Sequence, residues 1–87
     1  MNYVHESNRI SLSSPQGELL AEITFPLAHD NVVNINHTYV HPDLRGQQVA
    51  DTLMRLALDD IQKSGLIFTA TCPYAVRWLE RHPEHKP

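Results

Sequence analysis

Cysteine is almost absent from this chain: Cys72 is the only one. An intramolecular disulfide and a cysteine-built zinc cluster are therefore excluded, and a reducing, cytoplasmic setting is the expectation. No run of Lys and Arg occurs, and the net charge is −3. That balance argues against nucleic acid or an anionic membrane surface as the main partner. No apolar run is long enough to span a bilayer, and none has the build of a signal peptide. Repeats, low-complexity tracts and linkers are also lacking. The 87 residues are thus expected to form one domain, 1–87. A domain of that size buries only about two-thirds of the surface its unfolded chain exposes. A bound ligand or a dimer partner would add margin.

What is present reads as alternating strands followed by helices. Residues 1–13 read as a strand, with Ile10 and Leu12 on one face and Arg9 and Ser11 on the other. Ser14-Pro15-Gln16-Gly17 has turn chemistry. Glu18 to Phe25 alternates again, so the two segments make a hairpin. Ala28 to Asn31 reads as a second turn. A third strand, Val32 to Val40, would set Val33, Ile35, His37 and Tyr39 on one face and Thr38 and Val40 on the other. From about Gly46 to Ser64, Ala50, Leu53, Met54, Ala57, Leu58 and Ile61 form a helical stripe, closed by Gly65. Leu66 to Thr71 is short and β-prone and should lie parallel to the third strand, as a β-α-β crossover requires. Pro73 opens a last helix to Arg81, His82-Pro83 stops it, and Glu84 to Pro87 reads as a loose tail. The expected class is α/β (α+β), with a mixed, mostly antiparallel four-stranded sheet and two helices in the order β-β-β-α-β-α.

Between the third strand and the first helix lies Val40-His41-Pro42-Asp43-Leu44-Arg45-Gly46-Gln47-Gln48-Val49-Ala50. The first amides of a helix lack intrahelical acceptors and sit at the positive end of the helix dipole. A strand running into such a turn is an anion site suited to a phosphate or pyrophosphate, and Arg45 adds a formal charge. A plain strand-to-helix connection with a solvated Arg would look the same.

His37-Thr38, Val40, Leu44-Arg45-Gly46-Gln47-Gln48-Val49-Ala50, Cys72-Pro73-Tyr74 and His82-Pro83-Glu84 together resemble the GNAT superfamily of acetyl-CoA-dependent N-acetyltransferases, and in particular its small single-domain members. The similarity runs from about Asn8 to Glu84. It implies a minimal GNAT-like fold and acetyl-CoA as cofactor, with the pyrophosphate on the amides of Arg45, Gly46, Gln47, Gln48, Val49 and Ala50. It also implies a pantetheine arm lying against backbone groups in a splay between the third strand and Leu66–Thr71. The acceptor would be an unidentified amine or protein amine. Its site would have few walls, so that specificity would need a large partner or a homodimer interface. Two positions depart from the family pattern. Gln48 stands where glycine is usual and would serve if its φ were helical rather than positive. Tyr39 stands where an acid is common, which removes an obvious general base.

Within that frame Cys72 is a candidate nucleophile, since a thiol at a helix N-cap has its thiolate stabilised. The alternative reading is a small buried thiol filling space. His37 is a candidate base for the amine or for Cys72, or a half-buried histidine satisfied by a carbonyl. Tyr74 could protonate the departing CoA thiolate, or simply pack; Trp78 reads as core. The six histidines have no carboxylate or cysteine at ligand spacing, so no metal site is expected. The leading expectation is an acetyltransferase. A CoA-binding module without turnover is the alternative, and a structural interaction protein the third.

Overall fold

A computed structural model describes residues 2–85. The elements are β1 (Val4–Glu6), β2 (Arg9–Ser13), β3 (Leu19–Thr24), β4 (Leu27–His29), β5 (Val32–Ile35), β6 (His37–Val40), a 3-10 turn (Pro42–Leu44), α1 (Val49–Lys63), β7 (Ile67–Ala70), α2 (Pro73–Arg81) and a second 3-10 turn (Pro83–His85). The class is the expected α+β with two helices, but the strands are shorter and more numerous than the order β-β-β-α-β-α. They form two sheets rather than one of four strands. One is antiparallel, in the order β1-β2-β3-β6; the other, β4-β5-β7, carries the parallel pair.

Three of the differences are made by residues in left-handed backbone. The expected first strand folds on itself at Ser7-Asn8, where Asn8 has φ 64° and its side-chain Nδ2 donates to the Phe25 carbonyl at 2.9 Å. Asparagine tolerates this region better than most residues. Met1, the start of that expected strand, lies outside the described residues. The expected turn at Ala28 to Asn31 is shorter: Leu27–His29 is a strand, and Asp30, at φ 44°, turns the chain into β5. The third departure, at Gln48, belongs to the site below.

The long third strand is interrupted at Asn36. The Asn36 amide donates to the Thr24 carbonyl at 3.2 Å, while His37 is the register partner of Thr24. Two residues thus oppose one, which is a β-bulge. A one-residue slip moves each later side chain to the other face. Val33 and Ile35 point into the core, as expected. After the bulge it is Thr38 and Val40 that face inward, opposite Ile23 and Ala21. His37 and Tyr39, expected beside Val33 and Ile35, are turned out.

The bulge also parts the sheets. β5 runs parallel to β7 from Val32↔Ile67 to Ile35↔Ala70. There the Ile35 carbonyl accepts from the Thr71 and Cys72 amides together, both at 3.1 Å. Beyond it the chain pairs only with β3. The expected parallel pairing therefore holds for β5 alone, and the splay opens between β6 and the end of β7.

The core lies between the sheets and the helices. Ile10, Leu12, Ala21, Ile23, Val33 and Ile35 pack with Leu53, Met54 and Ala57 of α1 and with Ala75 and Trp78 of α2. α1 begins later than the expected Gly46 and ends as expected. Leu66 N–H bonds Ile61 O and Gly65 N–H bonds Gln62 O, each at 3.1 Å, with Gly65 at φ 72°, a Schellman close. Glu84 and His85, expected in a loose tail, form the second 3-10 turn with His85 against Trp78; Lys86 and Pro87 lie outside the described residues. No helix among the described residues is long and apolar enough to cross a membrane.

One polar clamp ties the helices together. The buried Trp78 indole N–H donates to Asp51 Oδ1 at 2.7 Å, and Arg55 Nε donates to Asp51 Oδ2 at 3.0 Å. His82 stacks on the Trp78 ring at 3.8 Å. The indole bond, helped by Arg55, holds the Asp51 carboxyl below its ordinary value against the opposing effect of burial. A carboxyl depressed in the folded state stabilises it above the unfolded value, and that contribution is lost as pH falls through the folded one. Trp78→Phe is expected to cost about 2 kcal/mol at neutral pH. In denaturant titrations from neutral pH downward, that difference should shrink once Asp51 protonates; a constant difference would count against the clamp.

Candidate functional site

His41 organises the entry to α1. Its Nδ1 accepts from the Asp43 amide at 3.0 Å, capping the 3-10 turn whose first residue is Pro42. Arg45 N–H bonds Pro42 O and Gln47 N–H bonds Leu44 O, both at 3.2 Å. Gly46, at φ 85°, and Gln48, at φ 59°, then reverse the chain into the helix. The condition set for Gln48, a helical φ, is not met. Its positive φ explains why glycine suits the position, and the exposed side chain points to solvent. Nothing lies within 4 Å of a Cβ built on Gly46, so the requirement there is conformational, not steric.

The first helical bond is Thr52 N–H to Gln48 O, at 3.0 Å. Among the described residues the amides of Gly46, Gln48, Val49, Ala50 and Asp51 have no backbone acceptor. Gln47 differs from its neighbours, because its amide is spent inside the turn. These amides border a cleft of about 340 Å³ lined by Val40, Leu44, Arg45, Gly46, Gln48, Val49, Ala50, Asp51 and Tyr74. Of the residues expected to hold the cofactor, all but Gln47 are on its walls. A larger cavity of about 470 Å³ sits at the far end of α1, between Leu58, Ile61, Phe68 and Glu84. Its walls are mostly apolar, with a carboxylate, and offer a diphosphate no row of amides.

Tyr74 is half-buried in the first turn of α2 and lines the cleft. Burial, reinforced by the negative charge of Asp51, raises its phenol above the ordinary value. It is therefore protonated at neutral pH, as a proton donor must be. Cys72 is the N-cap of α2, as expected, but it does not line the cleft and is only 6% exposed. Its Sγ lies 3.5 Å from Thr38 Oγ1. Burial pushes the thiol up; the Thr38 hydroxyl and the dipoles of the Ala75 and Tyr74 amides outweigh it, and the net shift is downward.

The structure thus brings Cys72, Tyr74 and the turn to one side of the sheet. His37 is not with them. The bulge puts it on the opposite face, 51% exposed, with Nε2 at 3.2 Å from Glu22 Oε2. Three residues given no role in the sequence now have one: Thr38 against the thiol, Asp51 as cleft wall and helix clamp, and Glu22 across from Tyr39. Only the alternation of β3 could have placed Glu22 outward, and nothing in the sequence paired it with His37. Among the described residues no group of His, Cys, Asp or Glu is arranged to hold a metal ion.

Residues 9–87 match the family model for the GCN5-related N-acetyl-transferases, and the chain belongs to that family. A GCN5-like protein from Staphylococcus aureus is similar over 97% of this chain and 82% of its own, at 27% identity and TM-score 0.79. A ribosomal-protein-alanine N-acetyltransferase from Brucella melitensis biovar Abortus 2308 shares the fold over 84% of this chain and 59% of its own, at 18% identity and TM-score 0.66. An aminoglycoside N-acetyltransferase in complex with CoA does so over 91% and 66%, at 17% identity and TM-score 0.61. A search of curated protein sequences gives no significant match.

Two expectations follow from this geometry. Gln48→Gly should raise stability by roughly 1 kcal/mol, because only glycine adopts that φ without strain; a loss of stability in thermal melts would contradict the reading. The rate of Cys72 alkylation should rise with pH around an inflection below that of an ordinary thiol, and Thr38→Val should move the inflection up.

Proposed function

We propose that this chain is an acetyl-CoA-dependent N-acetyltransferase acting on an amine. The observation that carries the reading is the set of partnerless amides, Gly46 and Gln48 to Asp51, on one wall of a cleft that also holds Val40 and Tyr74. A diphosphate fits such a set without any lysine, because backbone N–H groups and the helix dipole supply the positive field. Arg45, exposed at the mouth, adds its charge. His41 N–H bonds Leu20 O at 2.7 Å, and ladder bonds alternate along an antiparallel pair, so His37 and Tyr39 bond β3 while the backbone groups of Thr38 and Val40 are directed into the splay, the Thr38 N–H towards the Cys72 sulfur. These are the groups that would meet an extended amide-bearing arm.

Acetyl-CoA supplies an acetyl group activated as a thioester. The residues around it have separable tasks. Gly46 to Asp51 bind and orient, and Val40 and Val49 exclude water from the apolar floor. Tyr74, kept protonated, holds a proton for a departing thiolate. Cys72, lowered towards its thiolate and held by Thr38, is buried behind the cleft wall and in this reading would accept an acetyl group by thioester exchange once the arm enters the splay. The setting we propose is cytoplasmic, with a protein or small-molecule amine as acceptor and a homodimer as one way to wall it.

A second reading, a CoA-binding module without turnover, draws on the burial of Cys72 and the strained φ of Gln48. Mass spectrometry after incubation with acetyl-CoA separates the two. A single acetyl on the peptide containing Cys72, absent from Cys72→Ala, or steady CoA release with an added amine, is the expected result. Binding with neither would establish the module. Arg45→Glu is expected to weaken CoA binding by about tenfold or more. Unchanged affinity in that variant would remove the anion site from the account.

A further inference from the structure

The edge strand of a sheet presents a row of unpaired N–H and C=O groups, and folded proteins blunt it with charge, proline or a bulge. Three edges of the two sheets are dealt with. β1 carries His5 and Glu6. β4 follows Pro26, shifts register against β5 and runs into His29-Asp30. β6 borders the splay. The remaining edge is β7, beyond β5 in the smaller sheet. Its sequence, Ile67-Phe68-Thr69-Ala70, holds no charge, proline or glycine, and its pairing with β5 has no register shift. Ile67 is 54% exposed.

The parallel ladder fixes which groups of β7 are open. Ile67 N–H bonds Asn31 O at 3.0 Å, and Thr71 N–H bonds Ile35 O at 3.1 Å. Every second residue of a strand bonds a given neighbour. Ile67, Thr69 and Thr71 therefore serve β5, and the N–H and C=O groups of Phe68 and Ala70 point away from it. Among the described residues these groups have no backbone partner. The open row stops at both ends: Leu66 N–H is spent on Ile61 O and Cys72 N–H on Ile35 O, each at 3.1 Å.

This short row is complementary to itself. Set antiparallel to a second copy with Thr69 on the two-fold axis, Phe68 meets the second copy's Ala70, and Ala70 its Phe68. Each pair exchanges two hydrogen bonds. Phe68 and Ala70 both pack on the core side, so a large side chain lies beside a small one in both halves. On the outer side Ile67 falls opposite Thr71. The same register carries the start of the second copy's α2 to the Leu66 end of β7. The mostly apolar cavity of about 470 Å³ opens there, with Leu66, Ile67 and Phe68 in its wall. Val76 of α2 is 38% exposed, and this pairing brings it towards the same end as Ile67.

We propose that two copies of this chain pair through the open edge of β7, joining their smaller sheets into one. This pairing is independent of the acetyltransferase reading above. An extended peptide could use the same four groups, but the fit of Phe68 to Ala70 across a two-fold axis, and the cavity beside Ile67, favour a second copy. So short a ladder makes a small, transient interface, with a dissociation constant of about 10–100 μM. In the pair each Ile67 lies against the other copy's Thr71, the residue before Cys72. Each copy thus lends an apolar side chain to the rim of the other's splay.

Sedimentation equilibrium of the full chain at concentrations from about 5 μM to about 1 mM, which bracket that constant, should show wild type passing from monomer to dimer. Thr69→Lys sets two ammonium groups together on the axis and should stay monomeric, with circular dichroism melts to check its fold. Thr69→Cys is the positive arm. Opposed residues of a non-hydrogen-bonded pair lie about 4.5 Å apart at Cα, within disulfide reach. Mild oxidation should link this variant into a covalent dimer. Wild type, whose one thiol is buried, and Asp43→Cys, on the turn before α1, should not link. Hydrogen exchange at the Phe68 and Ala70 amides should slow as protein concentration rises. A wild type that stays monomeric throughout overturns the pairing. So does a dimer that persists in Thr69→Lys while Thr69→Cys fails to link, since it would use another surface. Protection of Phe68 and Ala70 only on adding an extended peptide of alternating Thr and Val overturns it in favour of a peptide site. Each of these results leaves CoA binding at Gly46 to Asp51 untouched, so the acetyltransferase reading stands or falls separately.

Discussion

The Ile35 carbonyl is where the sheet stops being one sheet. It receives two amides, those of Thr71 and Cys72, and so closes the parallel ladder between β5 and β7. One residue later Asn36 adds the bulge that commits the chain to β3. Backbone groups that are buried must be paired, and here the pairing partners change within three residues. The edge groups of Thr38 and Val40 are left facing a gap, and the gap leads to the turn before α1. The sheet side of the site follows from that change of partner. It opens the splay and sets Thr38 against Cys72. It turns His37 outward and brings Val40 to the wall of the cleft.

The other end of the cleft is built from conformational cost. Gly46 and Gln48 both occupy left-handed backbone, and Gln48 does so at some strain. In exchange the chain presents a row of amides with no internal acceptor at the positive end of a 15-residue helix. Asp51 would weaken that field if its charge were free. The Trp78 indole and Arg55 hold it instead, so the carboxylate serves to join the helices. Tyr74 feels the remaining charge and stays protonated. Packing of the two helices and electrostatics of the cleft thus share one side chain.

Periodicity carried much of this in advance. The stripe of Leu53, Met54, Ala57 and Ile61 gave α1, Gly65 its end, and Pro73 the start of α2 with Cys72 as cap. The family resemblance was readable from the residues of the turn and of the Cys72 and His82 segments, and the family match bears it out. The failures share a cause. Alternation assumes an uninterrupted strand, and a bulge leaves no mark in composition. Reading Val32 to Val40 as one strand therefore put His37 and Tyr39 on the wrong face. Asn8, Asp30 and Gln48 are non-glycine residues in left-handed backbone, a conformation the sequence does not announce. The pairing of Glu22 with His37 depends on the register of β3 against β6, which no local pattern encodes.

The central physical claim is that the amides of Gly46 and Gln48 to Asp51 hold a diphosphate, and that the splay beyond them receives the arm attached to it. Titrating isotope-labelled protein with CoA and following its amide resonances tests this most directly. The account predicts that the largest shifts fall on Gly46, Gln48, Val49, Ala50 and Asp51, with a second group at Thr38 and Val40, while Gln47 moves less because its proton is already bonded. Shifts centred instead on Leu58, Ile61 and Phe68, with the turn unmoved, would contradict it.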